Sequence, residues 1–410
     1  MTELFQARTV AEARKTVENH FRPGNNVRRV PLLDSLGKRL GKAVPAKDDV
    51  PGFDRSTMDG FAVKAKDTFG ASESLPAYLD ITGEIFMGKD ARGKLGTGQA
   101  WKIPTGGMLP PGADAVVMIE YTESLDEDTI GATRPVGPGE NVVLRGEDVP
   151  HGNTVLQAGH IIRPQDLGML AAVGVSEVEA LNSVRVGIIS TGDEVVPVEV
   201  KPGPGQVRDI NSYALYGQVS ACGGEPVLYG VVRDDFKELR DTLAGAVSEC
   251  DLVILSGGSS VGTRDVASKV IESLGRPGIL FHGISIKPGK PTVGAVVENK
   301  PVFGLPGHPV SAMVVFELLV APLVRYGEYR KNPLEFAVRA KLTRNMRSAA
   351  GREDYIRVKL VESEQGELSA EPILGKSGLI ATMVKAHGLA MIPADKEGVE
   401  AGEYVAVKLF

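Results

Sequence analysis

The spacing of apolar and polar residues predicts helices near the start of the chain. Residues 3–20 carry apolar side chains among charged ones at intervals typical of an amphipathic helix. Residues 31–40 predict a second helical segment, which ends at Gly41. Short apolar runs separated by Gly, Pro and Asp follow over residues 75–143, and they predict a β-rich region.

A further helix and a short strand are predicted within residues 164–180. We expect them to pack on the first helices, so that the β-rich region is an insertion. From residue 183 to residue 328, short runs rich in β-branched residues alternate with helical segments, which predicts a doubly wound, mostly parallel sheet. From residue 334 the apolar period changes to two, which predicts a small β-domain.

The predicted fold is therefore a multidomain α/β fold. Its centre is a doubly wound, mostly parallel α/β domain, accompanied by a helical or mixed N-terminal domain, an inserted β-rich domain and a small C-terminal β-domain. The predicted boundaries are residues 1–48 plus 144–182 for the N-terminal domain, 49–143 for the inserted domain, 183–328 for the α/β domain and 329–410 for the C-terminal domain. A chain of 410 residues is too long for one ordinary core, in keeping with this division.

The charge balance and the cysteine content restrict the class of protein. A net charge of -6 argues against a nucleic-acid-binding protein, so that any anionic ligand would need a local cluster of Lys and Arg. Cys222 and Cys250 lack metal-ligand spacing and predict buried free thiols in a reducing compartment. The first residues lack the apolar core of a signal peptide, and the apolar stretch 312–324 is too short to span a bilayer. We expect a cytoplasmic enzyme with neither nucleic acid nor membrane as a partner.

Three predicted strands of the α/β region end in small or polar residues. The strand 184–190 runs into TGDE, the strand 251–256 runs into GGSS, and the strand 301–305 runs into PGHP. In open α/β sheets, ligands bind outside the carboxyl ends of the strands. We therefore expect these three strand ends to converge on one crevice that holds the chemistry.

Two of the segments in this region suggest an anionic ligand. Residues 256–260 offer backbone N–H groups and hydroxyls before a helix, a nest that suits a phosphate, although Gly-rich turns are common and no Walker A motif is present. Lys287 and Lys290 share one Pro-Gly turn. Two ammonium groups held close repel each other unless an anion lies between them, and the alternative is a pair of solvated surface lysines.

The acidic residues of the region suggest a metal. Asp193, Glu194, Asp235 and Asp265 would all lie at the same edge of the sheet. Carboxylates gathered in one cleft need a cation, and Mg²⁺ is the usual one with a phosphorylated substrate. Each residue taken singly is also explained as a helix cap or a surface charge. No His/Cys cluster suggests zinc, and no G-x-S-x-G element suggests a serine hydrolase.

Eight motifs occur in order along nearly the whole chain: PGFDRSTMDGFAV, PTGGMLPPGADAVV, GENVVLRGEDV, GIISTGDE, VVRDD, SGGSSVG, IKPGKP and GLPGHPVSA. Together with GREDYIRVKL and GKSGLIATMVKAHGL near the end, they resemble the motifs of the molybdopterin molybdenumtransferases, of which the E domain of gephyrin is a relative. The resemblance implies an enzyme that takes adenylated molybdopterin and molybdate, hydrolyses the adenylyl phosphoanhydride, releases AMP and leaves molybdenum on the dithiolene.

The resemblance also implies cofactors, partners and site residues. It implies that Mg²⁺ takes part, that the protein is a homodimer, and that it contacts the molybdopterin adenylyltransferase. The implied catalytic residues are Asp59, Thr105, Glu194, Asp235 and Asp265, of which the last three hold the metal and a water. The implied binding residues are Lys287 and Lys290 for molybdate, Gly257, Gly258 and Ser259 for phosphate, and Asp148, Ser190, Thr191, Gly192, Pro306, Pro309, Arg352 and Ser377.

The GKSGL segment and His308 depart from the commoner forms of the family motifs, which leaves tungstate as an alternative to molybdate. His308 stands where many relatives have Asn in an LPGNP motif. A neutral imidazole still donates one hydrogen bond, and it would add pH dependence to an exposed site. The alternative is a histidine without a role.

Two other functions compete with metal insertion. The related adenylyltransferase shares the α/β domain, but it is normally a small single-domain protein, and the MDG and PTGG loops and the extra β-domains argue against it. A scaffold or binding module in the manner of gephyrin is the other alternative. The chain has no linker or tail for that role, and it retains the acidic residues.

Overall fold

A computed structural model of the chain describes residues 7–21, 26–257, 266–329 and 335–410. The chain divides into two compact units. One is Val27–Leu181, and we call it the 27–181 unit. The other combines Met1–Asn26 with Asn182–Phe410, and we call it the 182–410 unit.

The first helix belongs to the 182–410 unit. Helix α1 (Val10–Glu18) begins with a capping box, in which the N–H of Glu12 donates to Thr9 Oγ1 and the N–H of Thr9 donates to Glu12 Oε2. Its apolar face is buried in the core of the α/β sheet. The sequence predicted this helix over residues 3–20 and assigned it to the N-terminal domain. That assignment is wrong, because the apolar face of α1 is covered by the α/β region.

The 27–181 unit consists mostly of short strands. Its elements are β1 (Val27–Pro31), a 3-10 helix (Leu32–Ser35), β2 (Val44–Pro45), β3 (Arg55–Ser56), β4 (Gly60–Val63), a 3-10 helix (Ala65–Thr68), β5 (Ala77–Glu84), β6 (Gln99–Ile103), β7 (Ala115–Met118), a 3-10 helix (Ile119–Tyr121), β8 (Thr122–Ser124), β9 (Thr129–Ala132), β10 (Val142–Val143), β11 (Thr154–Leu156), α2 (Pro164–Ala172) and β12 (Glu177–Leu181). A six-stranded sheet has the order β7-β4-β6-β5-β9-β8. The β-rich region expected over residues 75–143 is therefore present.

The helix predicted over residues 31–40 is wrong. Strand β1 pairs antiparallel with β12, and Val30 lies opposite Val178. Only a single 3-10 turn, Leu32–Ser35, follows β1. Val30, Leu40 and Leu170 are buried in one cluster with the residues of β12 and α2. The apolar residues of this segment therefore face a strand that lies far along the chain.

The α/β part of the 182–410 unit contains a six-stranded sheet. Its elements are β13 (Arg185–Thr191), β14 (Val195–Val196), β15 (Val207–Arg208), α3 (Asn211–Ala221), β16 (Glu225–Val232), α4 (Phe236–Glu249), β17 (Leu252–Ser256), α5 (Val266–Leu274), β18 (Gly278–His282), β19 (Ile286–Lys287), β20 (Val293–Val297), β21 (Lys300–Leu305), α6 (Pro309–Val315), a π-helical turn (Phe316–Val320) and α7 (Ala321–Tyr326). The strand order is β16-β13-β17-β21-β20-β18, in which the first four strands are parallel. The last two strands pair antiparallel.

Both faces of this sheet are covered, which confirms the doubly wound arrangement. Ile188 of β13 faces a core that contains α1, α3 and α6, whereas Ile189 faces a second core that contains α4 and α5. Successive side chains of a strand point to opposite faces, so a strand buried on both sides reads as a continuous apolar run. The continuous helix Pro309–Tyr326 is long and apolar enough to cross a membrane by length and composition, but most of it is buried in the first of these cores.

The C-terminal part of the same unit is a small barrel. Its elements are β22 (Val338–Leu342), β23 (Met346–Arg347), β24 (Glu353–Glu362), β25 (Leu368–Pro372), α8 (Ala381–Val384), β26 (Gly388–Ile392), β27 (Gly398–Val399) and β28 (Tyr404–Leu409). The sheet has the order β19-β24-β25-β22-β28-β26, and β24 also pairs with β26, which closes it. Strand β19 comes from the α/β part, so this pairing joins the two parts of the unit.

Candidate active site

The carboxyl ends of the three predicted strands line one cavity of about 540 Å³. Strand β13 contributes Ser190 and Thr191, and the turn after it contributes Glu194. Ser256 at the end of β17 and Gly257 directly after it also line the cavity. The loop after β21 contributes residues 306–309, which include the predicted Pro306 and Pro309. The convergence expected from the sequence is therefore present in the 182–410 unit.

Two side chains before and at the start of α3 hold these strand ends together. Ser190 Oγ donates to Asp209 Oδ1 at 3.1 Å, and the same oxygen accepts the N–H of Ser212 at 3.0 Å. Asn211 Nδ2 donates to Ser256 Oγ at 2.7 Å and to the carbonyl of Gly307 at 2.9 Å. Asp209 and Asn211 were not predicted from the sequence. The DINS segment directly before an apolar helical period was the available signal.

The two aspartates after β16 have different roles. Thr191 Oγ1 donates to Asp234 Oδ1 at 2.6 Å, which joins the ends of β13 and β16. Asp235 is the N-cap of α4, and its Oδ1 accepts the N–H of Glu238 at 2.9 Å. Asp235 does not line the cavity at the strand ends, whereas Glu194 does. In this structure Asp235 therefore acts as a helix cap, which is the alternative that the sequence left open for it.

The glycine-rich end of β17 lies very close to β13. Gly257 has a φ of 109°, and a Cβ at this position would collide with the carbonyl oxygen of Thr191. Only glycine allows this approach. The other residues assigned to the phosphate nest, Gly258 and Ser259, lie outside the described residues, as does Asp265.

A second cavity, of about 740 Å³, lies between the α/β part and the C-terminal barrel. It is lined by the side chains of six basic residues, namely Lys287, Lys290, Arg347, Arg352, Arg357 and Lys376. Lys287, Lys290 and Arg352 were predicted from the sequence as binding residues, and the other three were not. A cluster of this sign in an acidic protein favours an anionic ligand.

The basic residues of this cavity differ in exposure. Lys287 and Lys290 are exposed, so their ammonium groups are available to a ligand. Arg357 is buried, and its Nη2 donates to the carbonyls of Ile373 and Gly375 at 3.3 and 2.8 Å. Burial lowers the pKa of Arg357 below its ordinary value. Arg357 therefore stabilises the loop that carries Lys376 and Ser377.

The two cavities are adjacent, because both are lined by Pro291, Pro306 and His308. The backbone N–H of Val310, at the start of α6, donates to the carbonyl of Ser377 at 3.1 Å. This bond fixes the GKSGL loop of the barrel against the GLPGHP loop of the α/β part. The predicted residue Ser377 therefore lies beside the boundary of the two cavities.

The 27–181 unit brings together the three loops that carry the other motifs. The backbone N–H of Thr105 donates to Asp59 Oδ1 at 2.7 Å. Strand β3 pairs with β10, and Val50 forms a bridge with Val149. Asp59, Thr105 and Asp148 are all exposed at this group of loops. Two of the predicted catalytic residues are therefore in direct contact.

The acidic residues of the described part form no complete metal centre. Within residues 7–21, 26–257, 266–329 and 335–410, no group of three or more His, Cys, Asp or Glu side chains is close enough to hold a metal ion. Of the three predicted metal ligands, Glu194 lines the strand-end cavity, Asp235 caps a helix and Asp265 is outside the described residues.

Three family models cover most of the chain. The model of the MoeA N-terminal region (domains I and II) matches residues 8–174, the model of a molybdopterin binding domain matches residues 187–326, and the model of the MoeA C-terminal region (domain IV) matches residues 339–410.

Curated proteins and solved structures agree with these models. The chain is 36% identical over 383 residues to the molybdopterin molybdenumtransferase of Haemophilus influenzae, with 92% of this chain and 93% of that protein covered. It is 33% identical over 394 residues to the molybdopterin molybdenumtransferase of Bacillus subtilis, with 95% and 91% covered. The crystal structure of the molybdopterin biosynthesis MoeA protein of Pyrococcus horikoshii OT3 has a TM-score of 0.84 and 34% identity, with 99% of this chain and 100% of that chain covered. The chain therefore belongs to the MoeA family, whose curated relatives are named molybdopterin molybdenumtransferase.

Proposed function

We propose that the chain inserts molybdenum from molybdate into adenylated molybdopterin and releases AMP, the last step of molybdenum cofactor biosynthesis. The observation that carries this proposal is the adjacency of two different cavities, which share Pro291, Pro306 and His308. A substrate with a phosphoanhydride and an oxyanion co-substrate need two neighbouring anion sites. Membership of the MoeA family supports the same reaction.

The two cavities take different parts of the reaction. The strand-end cavity binds the adenylyl phosphates near Gly257, and the basic residue Arg208 lines it. The hydroxyls of Ser190 and Thr191 and the N–H groups of Gly192 and Gly257 already donate within the protein, so they position the strand ends. The basic cavity binds molybdate between Lys287 and Lys290, assisted by Arg352 and Ser377. Pro306 and Pro309 form the rigid loop at the boundary.

We also propose that Mg²⁺ binds at the strand-end cavity through Glu194. Mg²⁺ is usually held by one or two carboxylates together with waters and substrate phosphates, so an incomplete protein donor set fits this cation. Asp265, which lies outside the described residues, is the other candidate ligand, whereas Asp235 caps α4 and does not line this cavity. When bound, the cation neutralises the phosphate charge that develops as the phosphoanhydride is hydrolysed.

The remaining partners follow from the family resemblance. We propose a homodimer in which the loops that carry Asp59, Thr105 and Asp148 complete the site of the partner subunit. We further propose a cytoplasmic location and contact with the molybdopterin adenylyltransferase, because the adenylated intermediate must pass from one enzyme to the next.

The decisive experiment measures which phosphate product is released. The purified chain, given adenylated molybdopterin, Mg²⁺ and molybdate, should release AMP. Glu194→Gln should slow this release about tenfold or more while the circular dichroism spectrum is unchanged, because removal of one metal-binding charge weakens transition-state stabilisation. Glu199→Gln is the matched control, since Glu199 is exposed and does not line the cavity.

Two outcomes would contradict the proposal. Pyrophosphate release from ATP and unadenylated molybdopterin, with no AMP from the adenylated substrate, would make the protein an adenylyltransferase. Absence of both activities in a folded protein would favour a scaffold or binding module.

A further inference from the structure

One carboxylate lies among the basic residues of the larger cavity. Among the described residues that line this cavity, Asp354 alone carries a negative side chain, against six basic side chains. The side chain of Asp354 is only 6% exposed. A buried carboxylate at an anion site is unfavourable for the anion, so its presence requires another explanation.

Asp354 contacts two of the basic residues assigned to molybdate. Arg352 donates from Nε to Asp354 Oδ1 at 2.9 Å and from Nη2 to Oδ2 at 3.5 Å. Lys287 Nζ lies 3.9 Å from Oδ2. The side chains of Lys287 and Arg352 remain 60% and 35% exposed, so both keep N–H groups for a ligand.

The backbone explains why this side chain reaches both cations. Lys287 belongs to β19 of the α/β part, and its register partner on β24 of the barrel is Asp354. The N–H of Glu353 donates to the carbonyl of Ser285 at 3.0 Å at the same junction. Asp354 therefore lies where the KPGKP turn and the GRED segment meet, between cations that come from different parts of the unit.

We propose that Asp354 is the positioning residue of the oxyanion site, an inference that rests on the proposed function. Its carboxylate holds Lys287 and Arg352 at a fixed separation. Their remaining N–H groups are then directed toward the cavity, where they donate to the anion. The carboxylate also offsets the repulsion of the two cations before the anion binds. Asp354 does not contact the anion, because its oxygens accept from Arg352 and face Lys287.

The test measures molybdate binding directly and then molybdate-dependent AMP release. Asp354→Asn keeps the size of the side chain but removes its charge. We expect the Kd for molybdate to rise about tenfold, which is the effect of losing a charge-assisted hydrogen bond. The Kd is measured by calorimetry on the protein without adenylated molybdopterin. The KM for molybdate should rise in parallel, whereas kcat at saturating molybdate and the Kd for AMP should change less than about twofold.

Two further variants separate positioning from charge alone. Asp354→Glu keeps the charge but lengthens the side chain, and we expect a rise in Kd of about threefold, smaller than for Asn. Glu353→Gln removes the neighbouring negative charge, which accepts from Tyr355 OH and touches neither cation, and it should leave the Kd unchanged. If Asp354→Asn does not fold, the rise in the Kd for molybdate in Asp354→Glu tests whether Asp354 positions the two cations.

The proposal is overturned if the Kd for molybdate is unchanged in Asp354→Asn and Asp354→Glu, or if Glu353→Gln gives the same rise. A loss of kcat with an unchanged Kd also overturns it. These outcomes differ from failure of the proposed function, in which the unmodified chain binds molybdate but releases no AMP.

Discussion

Nδ1 of His308 and Oγ of Ser377 lie 3.0 Å apart. His308 follows β21 in the α/β part and is the N-cap residue of α6, whereas Ser377 follows β25 in the C-terminal barrel. His308 lines both cavities, and Ser377 lines the basic one. The contact therefore joins the two parts of the 182–410 unit at the point where the proposed nucleotide and oxyanion sites meet.

This contact predicts that the two side chains act as a unit. His308→Ala and Ser377→Ala should each raise the KM for molybdate about fivefold. The double variant should raise the KM for molybdate by no more than either single variant does. His308→Asn should retain most of the activity, because an amide also forms a hydrogen bond at this position. Steady-state kinetics with varied molybdate checks both expectations. Fully additive losses would show that the two side chains act independently.

The exposed lysine pair gives a second prediction. Lys287→Ala or Lys290→Ala should raise the molybdate requirement about ten- to a hundredfold, because each loses one charge-assisted hydrogen bond worth roughly 1.5–3 kcal/mol. The Kd for AMP should remain nearly unchanged. Lys385→Ala removes an exposed positive charge that does not line the cavity and serves as the control. Unchanged molybdate dependence in both lysine variants would contradict the oxyanion assignment.

The sequence predicted those elements whose pattern is set locally. Residues 186–189 of β13 form a continuous apolar run because Ile188 and Ile189 face different cores. Strands β22 and β28 of the barrel alternate because only one face of each lies in the barrel core. The helix expected over residues 31–40 failed for the opposite reason. Its apolar residues are used by β1 and by the distant strand β12, and local periodicity does not reveal such a partner.

The part of the candidate site that could be predicted from the sequence is the set of loops that directly follow the predicted strands. Residues after β13, β17 and β21 converge because parallel strands end at one edge. Arg347 and Lys376 were missed because the basic cavity depends on the pairing of β19 with β24, which joins segments far apart in the chain. Asp234 and Asp235 are adjacent, and only the structure shows that Asp235 caps α4.

A buried aspartate predicts how the stability of the 27–181 unit depends on pH. The Arg163 guanidinium donates to both carboxylate oxygens of Asp166 at 3.0 Å and holds the pKa of that carboxyl far below its usual range, although burial opposes the shift. His160 Nε2 lies 2.6 Å from Oδ2 and acts in the same direction. Because the folded pKa is lowered, this stabilisation is present above the unfolded pKa of about 4 and is lost as the pH falls below it.

Asp166→Asn should therefore lower the free energy of unfolding by about 2 kcal/mol at pH 7, since it weakens a buried charge-assisted network. The difference in unfolding free energy between Asp166→Asn and the unmodified chain should shrink at about pH 3. At that pH the stabilisation from the lowered pKa of Asp166 is already partly lost. Urea unfolding at both pH values measures this difference. Glu123→Gln, an exposed carboxylate on β8, should have no such effect. A difference that is the same at both pH values would show that the charge of Asp166 does not contribute.

The contact between Asp59 and Thr105 allows a test of the proposed shared site. Thr105 donates its backbone N–H to Asp59 Oδ1 at 2.7 Å, so Asp59→Ala should disorder the PTGG loop and abolish most AMP release. Glu194→Gln should lower AMP release from the strand-end cavity about tenfold or more. If each site combines Glu194 of one chain with Asp59 of the other, a mixed dimer of the two variants contains one intact site.

Random exchange of subunits makes half of the dimers mixed, so mixing the two impaired variants should restore about one quarter of the unmodified activity. Subunits should be exchanged by mild denaturation and refolding, and AMP release should be measured before and after. Each variant refolded alone provides the control, and it should keep its low activity. If a chain supplies both residues to its own site, every site in the mixture carries a defect. Activity would then remain at the level of the separate variants, and a site shared between two chains would have to be abandoned.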